Sequence, residues 1–366
     1  MSRIAQFLAG IKVLDLTQYL PGPLATQMLA DMGADVLKIE PPTGDEMRKL
    51  GPRDAAGHGI YYEAINAGKT TRTMNLKDED VRAEFLELVR CADVLFEGFR
   101  PGVMERLRIG YQNLSTINPR LIFCSISGFG KTGPLAQMAA HDANYLALSG
   151  TLERNGIDRP IYFDPPIADC SSSLTALSAV LAALYSRSRD GKGCEIDIAI
   201  ADVVMPFQTF SLADLGRQGE VSGRRSTYLN GGSAYYQIYP TRDGRHVALG
   251  AIEAKFWSAF CEAAGRPEWI ARQSDALPQL SLTAELADYF SLLTLEQCVR
   301  QFKSVDCCLA PVLDLKEAVQ SPYYQDRGLI RDAGAQGFQA VFPAIVDGEA
   351  PAVRRPLQVN TNREGS

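Results

Sequence analysis

Two short stretches concentrate the groups that could move a proton or attack a carbonyl. "AHDANYLALSG" (Ala140–Gly150) places His141 directly before Asp142 in a chain with only three histidines. "PPIADCSSSLTALSAVLAALYS" places Asp169 just ahead of a long apolar run. An imidazole and a carboxyl group facing opposite sides of one carbon can remove a proton from one face and return one to the other, which inverts a stereocentre. That carbon must first be acidified. A thioester carbonyl does so by stabilising an enolate, whose oxygen seeks N–H donors such as a helix N-terminus offers. A carboxylate acting alone can instead attack the thioester and carry an acyl intermediate. Each residue also has a plainer reading. Asp169 can be a helix N-cap, favoured by free backbone N–H groups and the helix dipole. His141 can be a loop histidine held by a hydrogen bond, and Asp142 the cap of the helix that follows it.

Alternating strands and helices must position these groups. "IKVLDLT" reads as a strand, "GPLATQMLADMGA" as a helix with a glycine stop, and "DVLKIE" as the next strand. The alternation recurs through "VRAEFLELVRCAD", "VLFEGF", "YQNLSTINPR" and "LIFCSISGFG", which predicts βαβ units and a mostly parallel sheet. The helix at Ser171–Ser186 is so continuous in Leu, Ala and Val that burial on several sides is expected. Near residue 217 the chain turns polar and glycine-rich in "RQGEVSGRRSTYLNGGS", a linker or mobile loop. Beyond it, "AYYQIYPTRDGRHVALGA" predicts two strands joined at an Asp-Gly turn. The expected organisation is a large α/β domain over residues 1–216, a linker and small α+β domain over 217–318, and a return to the large domain over 319–366.

Composition narrows the function classes. A length of 366 residues with 46% hydrophobic and 22% charged residues fits a globular protein of two domains, or of one domain with an insertion. A net charge of −6 argues against nucleic-acid or membrane-surface partners, which call for a broad basic face, but leaves room for a local cationic cluster on a polyanionic small ligand. No run reaches the roughly 18–20 uncharged residues that span a bilayer, and the N-terminus does not read as a secretory signal. Eight scattered cysteines, none in a C-x-x-C pair, point to reduced thiols in a cytoplasm and give no metal-ligand spacing. The turn after the first strand, "TQYLPGPLA", lacks the G-x-G-x-x-G of dinucleotide enzymes, and neither a P-loop nor a G-x-S-x-G elbow occurs. Cys170 fits packing better than chemistry, and His58 and His246 belong to no motif.

From Leu8 to Ile330 the chain resembles the family III CoA-transferases, and within them the alpha-methylacyl-CoA racemases. The family marks are "IKVLDLTQYLPGPLATQMLADMGADVLKIEPP", "INAGKTTRTMNLK", "CADVLFEGFRPGVMERLRIGYQNL", "NPRLIFCSISGFG", "IADCSSSLTALSAVLAALYSR" and "GKGCEIDIAIADVV". The racemase marks are His141-Asp142 ahead of "NYLALSG", and Glu253 in "GAIEAKFW". Asp169 stands where transferase members have a nucleophile and racemase members an acid/base. The resemblance further implies that Glu253 helps hold His141, that Tyr145 lies near bound CoA, and that Lys38, Arg100 and Arg106 meet the CoA nucleotide, with Lys77 a weaker candidate. Gly98 and Phe99 would face the pantetheine or adenine. It also implies a large Rossmann-like domain built from both chain ends, a small central domain, and an interlocked homodimer with the site formed between subunits. After Asp169 the chain departs from the racemases, with "CSSS" in place of an aromatic residue and a glycine run. "GTLERNGIDRPIYFDPPIAD" is also unusual, in a segment that would shape the acyl pocket.

The favoured expectation is a racemase or epimerase acting at the α-carbon of a 2-methyl-branched or related acyl-CoA, a step of lipid metabolism that needs no cofactor beyond the CoA of its substrate. The alternative is a CoA-transferase with Asp169 as nucleophile. A third, non-catalytic reading is a CoA-binding subunit that completes a partner's site.

Overall fold

The computed structural model describes residues 2–360. Six strands and seven helices alternate through the first two hundred residues: β1 (Lys12–Leu16), α1 (Pro21–Asp31), β2 (Asp35–Glu40), α2 (Ile60–Asn66), β3 (Thr70–Thr73), α3 (Glu79–Cys91), β4 (Val94–Glu97), α4 (Val103–Arg106), α5 (Tyr111–Ile117), β5 (Ile122–Ser127), α6 (Asp142–Leu148), α7 (Ile167–Asp190) and β6 (Cys194–Ala199). Local chemistry explains the boundaries. At α3, for example, the Asp78 side chain caps the N–H groups of Asp80 and Val81, and Phe85 and Val89 bury one face a turn apart. At α7, Gly191 with φ of 75° closes the helix.

The strands form a parallel sheet in the order β3-β2-β1-β4-β5-β6, extended beside β3 by β12 (Gln358–Val359) from the far end of the chain. β4 is buried along its whole length and β5 along nearly all of it, as expected of a parallel sheet covered on both faces. Strand order reverses between β1 and β4. In open α/β sheets that switch leaves a crevice at the carboxyl ends of the strands, where ligands bind. The doubly wound order is therefore present without the dinucleotide fingerprint.

The chain divides into two compact units. The first comprises residues up to Ser149, Phe163–Phe207 and the chain from Val319 onward; the second comprises Gly150–Tyr162 and Gln208–Ala318. The boundary thus falls near residue 208 rather than 216, and the unusual segment after Gly150 goes with the second unit. There Glu153 pairs with Arg224 at 3.2 Å. The second unit contains α8 (Thr209–Gln218), β7 (Tyr236–Pro240), β8 (His246–Gly250), α9 (Ala254–Ala263), α10 (Leu280–Ser291), α11 (Leu295–Phe302) and β9 (Leu309–Pro311). The hairpin pairs Pro240 with His246, and Gly244 adopts the positive φ its turn requires. Stacked Trp257, Phe260, Trp269 and Phe290 fill the core behind the three-stranded antiparallel sheet β7-β8-β9. The remaining elements are α12 (Leu315–Gln320), α13 (Pro322–Arg327) and the hairpin of β10 (Ile330–Asp332) and β11 (Phe338–Ala340).

α7 differs from expectation. By length and composition it could cross a membrane, yet it lies in the first unit against α1, β5 and β6. It is not buried on several sides. Ser172, Ser173, Ala176 and Val180 are buried, whereas Leu174 and Tyr185 are exposed. Small residues, with Leu177 and Val180, make up the buried face and let the helix approach its neighbours, while Leu174 and Tyr185 point outward.

Candidate active site

The ends of β1, β4 and β5 open on one cavity of about 390 Å³. Thr17, Gln18 and Tyr19 follow β1, Gly98, Phe99 and Arg100 follow β4, and Ser127 and Gly128 end β5. His141, Tyr145 and Asp169 complete the wall. The two acid/base candidates therefore share a cavity at the topological switch.

His141 is the exposed N-cap residue of α6. Its backbone N–H donates to Asn144 Oδ1 at 3.0 Å, and its ring meets the ring of Tyr19 edge-on, with centroids 6.4 Å apart at 80°. Asp142 does not cap the helix it begins. Its Oδ1 accepts from the N–H groups of Ala168 and Asp169, at 2.7 and 3.1 Å, and so caps α7. One carboxylate thereby ties the element carrying His141 to the helix carrying Asp169. Two of the N–H groups that an enolate oxygen could use at α7 are occupied by it.

Asp169 is the third residue of α7 rather than its N-cap, which is Pro166. It is half-buried. Burial, and after it the nearby negative charge of Asp142, push its carboxyl up to about 6. Both causes penalise the carboxylate form, so the group exchanges a proton close to neutral pH. Burial likewise pushes up the neighbouring Cys170 thiol, consistent with a packing role. Tyr145 is 4% exposed; its hydroxyl donates to the Ala140 carbonyl at 3.0 Å, and its ring stands edge-on to Phe129. A Cβ on Gly128 would lie 2.6 Å from the Tyr145 hydroxyl, so this close approach requires glycine.

A second cavity of about 500 Å³ continues from the same loops. It shares Tyr19, Gly98, Phe99 and Arg100 with the first and adds Arg106. Both arginines are exposed. The β4 loop between the cavities is fixed by Glu97, which accepts from the Phe99 N–H at 2.8 Å. Two guanidinium groups flanking an open cavity suit phosphate oxygens.

Lys38 is placed differently from expectation. It is fully buried, paired with Asp45 at 2.9 Å, and donates to the Thr17 carbonyl at 2.8 Å. It cannot reach a CoA phosphate. Its strand is covered on both faces, so the charge in "DVLKIE" points into the protein beneath the β1 loop. Glu253 belongs to the second unit, as the exposed N-cap residue of α9. Lys77 is exposed after β3 and lines neither cavity.

Sequence reasoning missed Gln18, Tyr19 and Ser127. Tyr19 has a left-handed backbone, φ 63°. The Ser127 hydroxyl is buried at the cavity wall with no hydrogen-bond partner. Their signal was position, since all three stand at or just after a predicted strand end. Outside the cavity, His58 lies 3.4 Å from both Asp54 and Glu63 at the surface, a grouping that sequence spacing did not reveal.

The sequence profile of CoA-transferase family III matches residues 8–357. The chain belongs to this family. Among similar members, the acetyl-CoA:oxalate CoA-transferase of Acetobacter aceti is 34% identical, over 89% of this chain and 85% of that one. The alpha-methylacyl-CoA racemase of Homo sapiens is 32% identical, over 88% of this chain and 81% of its own. The crystal structure of a CAIB/BAIF family protein from Brucella suis superposes with a TM-score of 0.83 at 28% identity, covering 96% of each chain. These relatives include both reactions, so membership establishes an enzyme of CoA-transferase family III, and the Brucella suis structure matches its large parallel sheet.

Proposed function

We propose that this member of the family is an acyl-CoA racemase or epimerase. The observation that carries the reading is that His141 and a half-buried Asp169, whose carboxyl is pushed up to about 6, line one cavity. One of the pair takes the α-proton of the acyl-CoA, the electron pair moves into the thioester to form an enolate, and the other returns a proton to the opposite face. Asp142 already occupies the Ala168 and Asp169 N–H groups, so the unpartnered Ser127 hydroxyl is the donor we assign to the enolate oxygen. Arg100 and Arg106 take the phosphates of CoA, Gly98 and Phe99 the adjoining chain, and Tyr145 packs beside it. The chemistry uses no further cofactor. Two chains interlock, which would cover apolar side chains such as Leu174 and Tyr185 and bring the partner's Glu253 to His141. The free thiols suit the reducing cytoplasm.

A second reading, CoA transfer between carboxylic acids through an aspartyl-CoA thioester intermediate on Asp169, is favoured by the several CoA-transferases among its relatives. Mass spectrometry separates the two. The enzyme is incubated in deuterated water with a 2-methylacyl-CoA, and separately with succinyl-CoA and an acceptor acid. Deuterium at an inverted α-carbon supports the racemase. A covalent adduct on Asp169 with CoA delivered to the acid, and no exchange, overturns it in favour of the transferase.

A further inference from the structure

Beneath the β1 loop lies a group of fully buried charges that lines neither of the two cavities. Lys38 and Asp45 form one pair, and Lys69 and Asp15 form another at 3.0 Å; all four side chains are inaccessible to solvent. Their hydrogen bonds converge on the loop that lines the cavity. Asp15 Oδ1 accepts both the backbone N–H and the hydroxyl of Thr17. Lys38 Nζ donates to the carbonyl of the same residue. Asp45 Oδ1 accepts from the N–H of Tyr19 at 3.5 Å and from Met47 at 2.9 Å. Lys69 ties the following helix to the same point through Pro23 and Thr26, at 2.9 and 2.8 Å. Both main-chain groups of Thr17 are thus gripped by buried charges of opposite sign. Two residues on, Tyr19 takes a left-handed conformation that is strained for a non-glycine residue and persists only where its surroundings over-determine it. Its ring then stands edge-on to His141.

Buried ion pairs give little net stability against apolar side chains of similar volume, because desolvation offsets their attraction. Stability therefore does not explain why four charges sit at this point. We propose that the buried Lys38–Asp45 pair is a positioning device that fixes the Thr17–Leu20 loop so that the Tyr19 ring sets the orientation of His141 in the cavity. Lys38 and Asp45 act through the loop and touch neither substrate nor the reacting atoms. The proposal rests on the reading of His141 as an acid/base for its kinetic consequences, but not for its structural ones.

The test uses the full chain with its histidines labelled at Cε1. Only three imidazole signals are present, and His141→Ala assigns the one of interest. In Lys38→Met and in Tyr19→Gly, which relieves the backbone strain while removing the ring, the His141 signal should shift while those of His58 and His246 stay in place. Proton exchange on the acyl-CoA should fall about 10- to 100-fold in kcat, the scale of a roughly 1 Å misplacement, with KM changed less. Tyr19→Phe, which keeps the ring, should restore both readouts. If Lys38→Met does not fold, Tyr19→Gly decides alone. An unmoved His141 signal in Tyr19→Gly, or in a folded Lys38→Met, overturns the positioning role. A moved signal in an enzyme that never exchanges α-protons upholds the positioning role and overturns the racemase reading instead.

Discussion

Two groups of buried or half-buried acids lie around the same loop, and they are treated in opposite ways. Burial alone would raise the carboxyl of Asp15, but Lys69, then Lys38 and two threonine hydroxyls, outweigh it and hold the group well below the usual carboxylate range. Asp169 has burial and a second carboxylate but no cation, and rises to about 6. The first arrangement fixes charge so that it holds shape. The second leaves a proton poised to move. The difference lies in the partners, since both residues are aspartates near the carboxyl edge of one sheet.

The sharpest way to break the comparison is to remove the poised group. Asp169→Asn should cut either reaction by about 10²- to 10⁴-fold in kcat, measured by α-proton exchange and by CoA transfer. It should also stabilise the fold at pH 7 by an order of 1 kcal/mol. A carboxyl raised in the folded state contributes stability below about pH 4 that is lost as pH rises through about 6, so the gain should vanish in melts below pH 4. Unchanged activity would end Asp169's part in the comparison.

Removing a cation from the structural group should do the reverse, costing stability before chemistry. Lys69→Met leaves Asp15 buried without its nearest cation and should cost about 3–5 kcal/mol in chemical unfolding. A loss below about 1 kcal/mol would mean that water or a rearranged Lys38 repairs the site.

Asp142→Ala addresses the contact between His141's element and Asp169. It should cost about 1 kcal/mol as a lost helix cap, and it should move the acid limb of the pH–rate profile to lower pH, because the negative charge that helps raise Asp169 is gone. An unmoved limb would leave burial as the whole cause. The smallest effect is expected at the nucleotide end. Arg100→Ala and Arg106→Ala should each raise KM for the acyl-CoA about tenfold, less so at high salt, with kcat little changed. A loss confined to kcat would place those arginines at the reacting end instead.

Much of the fold was legible because short-range patterns encode it. Apolar runs such as "VLFE" and "LIFCSIS" between capped helices predicted a parallel sheet, and the Asp-Gly turn predicted the hairpin of the second unit. His141 and Asp169 were legible as residue types that do acid/base chemistry, whereas Arg100 and Arg106 were singled out only by the family resemblance. Lys38 was misplaced for a physical reason. The resemblance put it at the CoA nucleotide, and nothing local says that Asp45 and the Thr17 carbonyl receive its charge inside the protein. Asp142 was likewise read as capping its own helix, since the groups it caps lie far along the chain.

The sequence by itself determined which segments form strands and helices, because turn chemistry and hydrophobic period act over a few residues. It also determined which residue types were available for proton transfer and phosphate binding. The tertiary structure alone decided that β1 and β4 are neighbours, that the loops behind them face His141 and Asp169, and that one aspartate receives two lysines while another receives none. Those outcomes depend on which distant segments share a low-dielectric interior, where the partner a charge meets decides whether it holds shape or moves a proton.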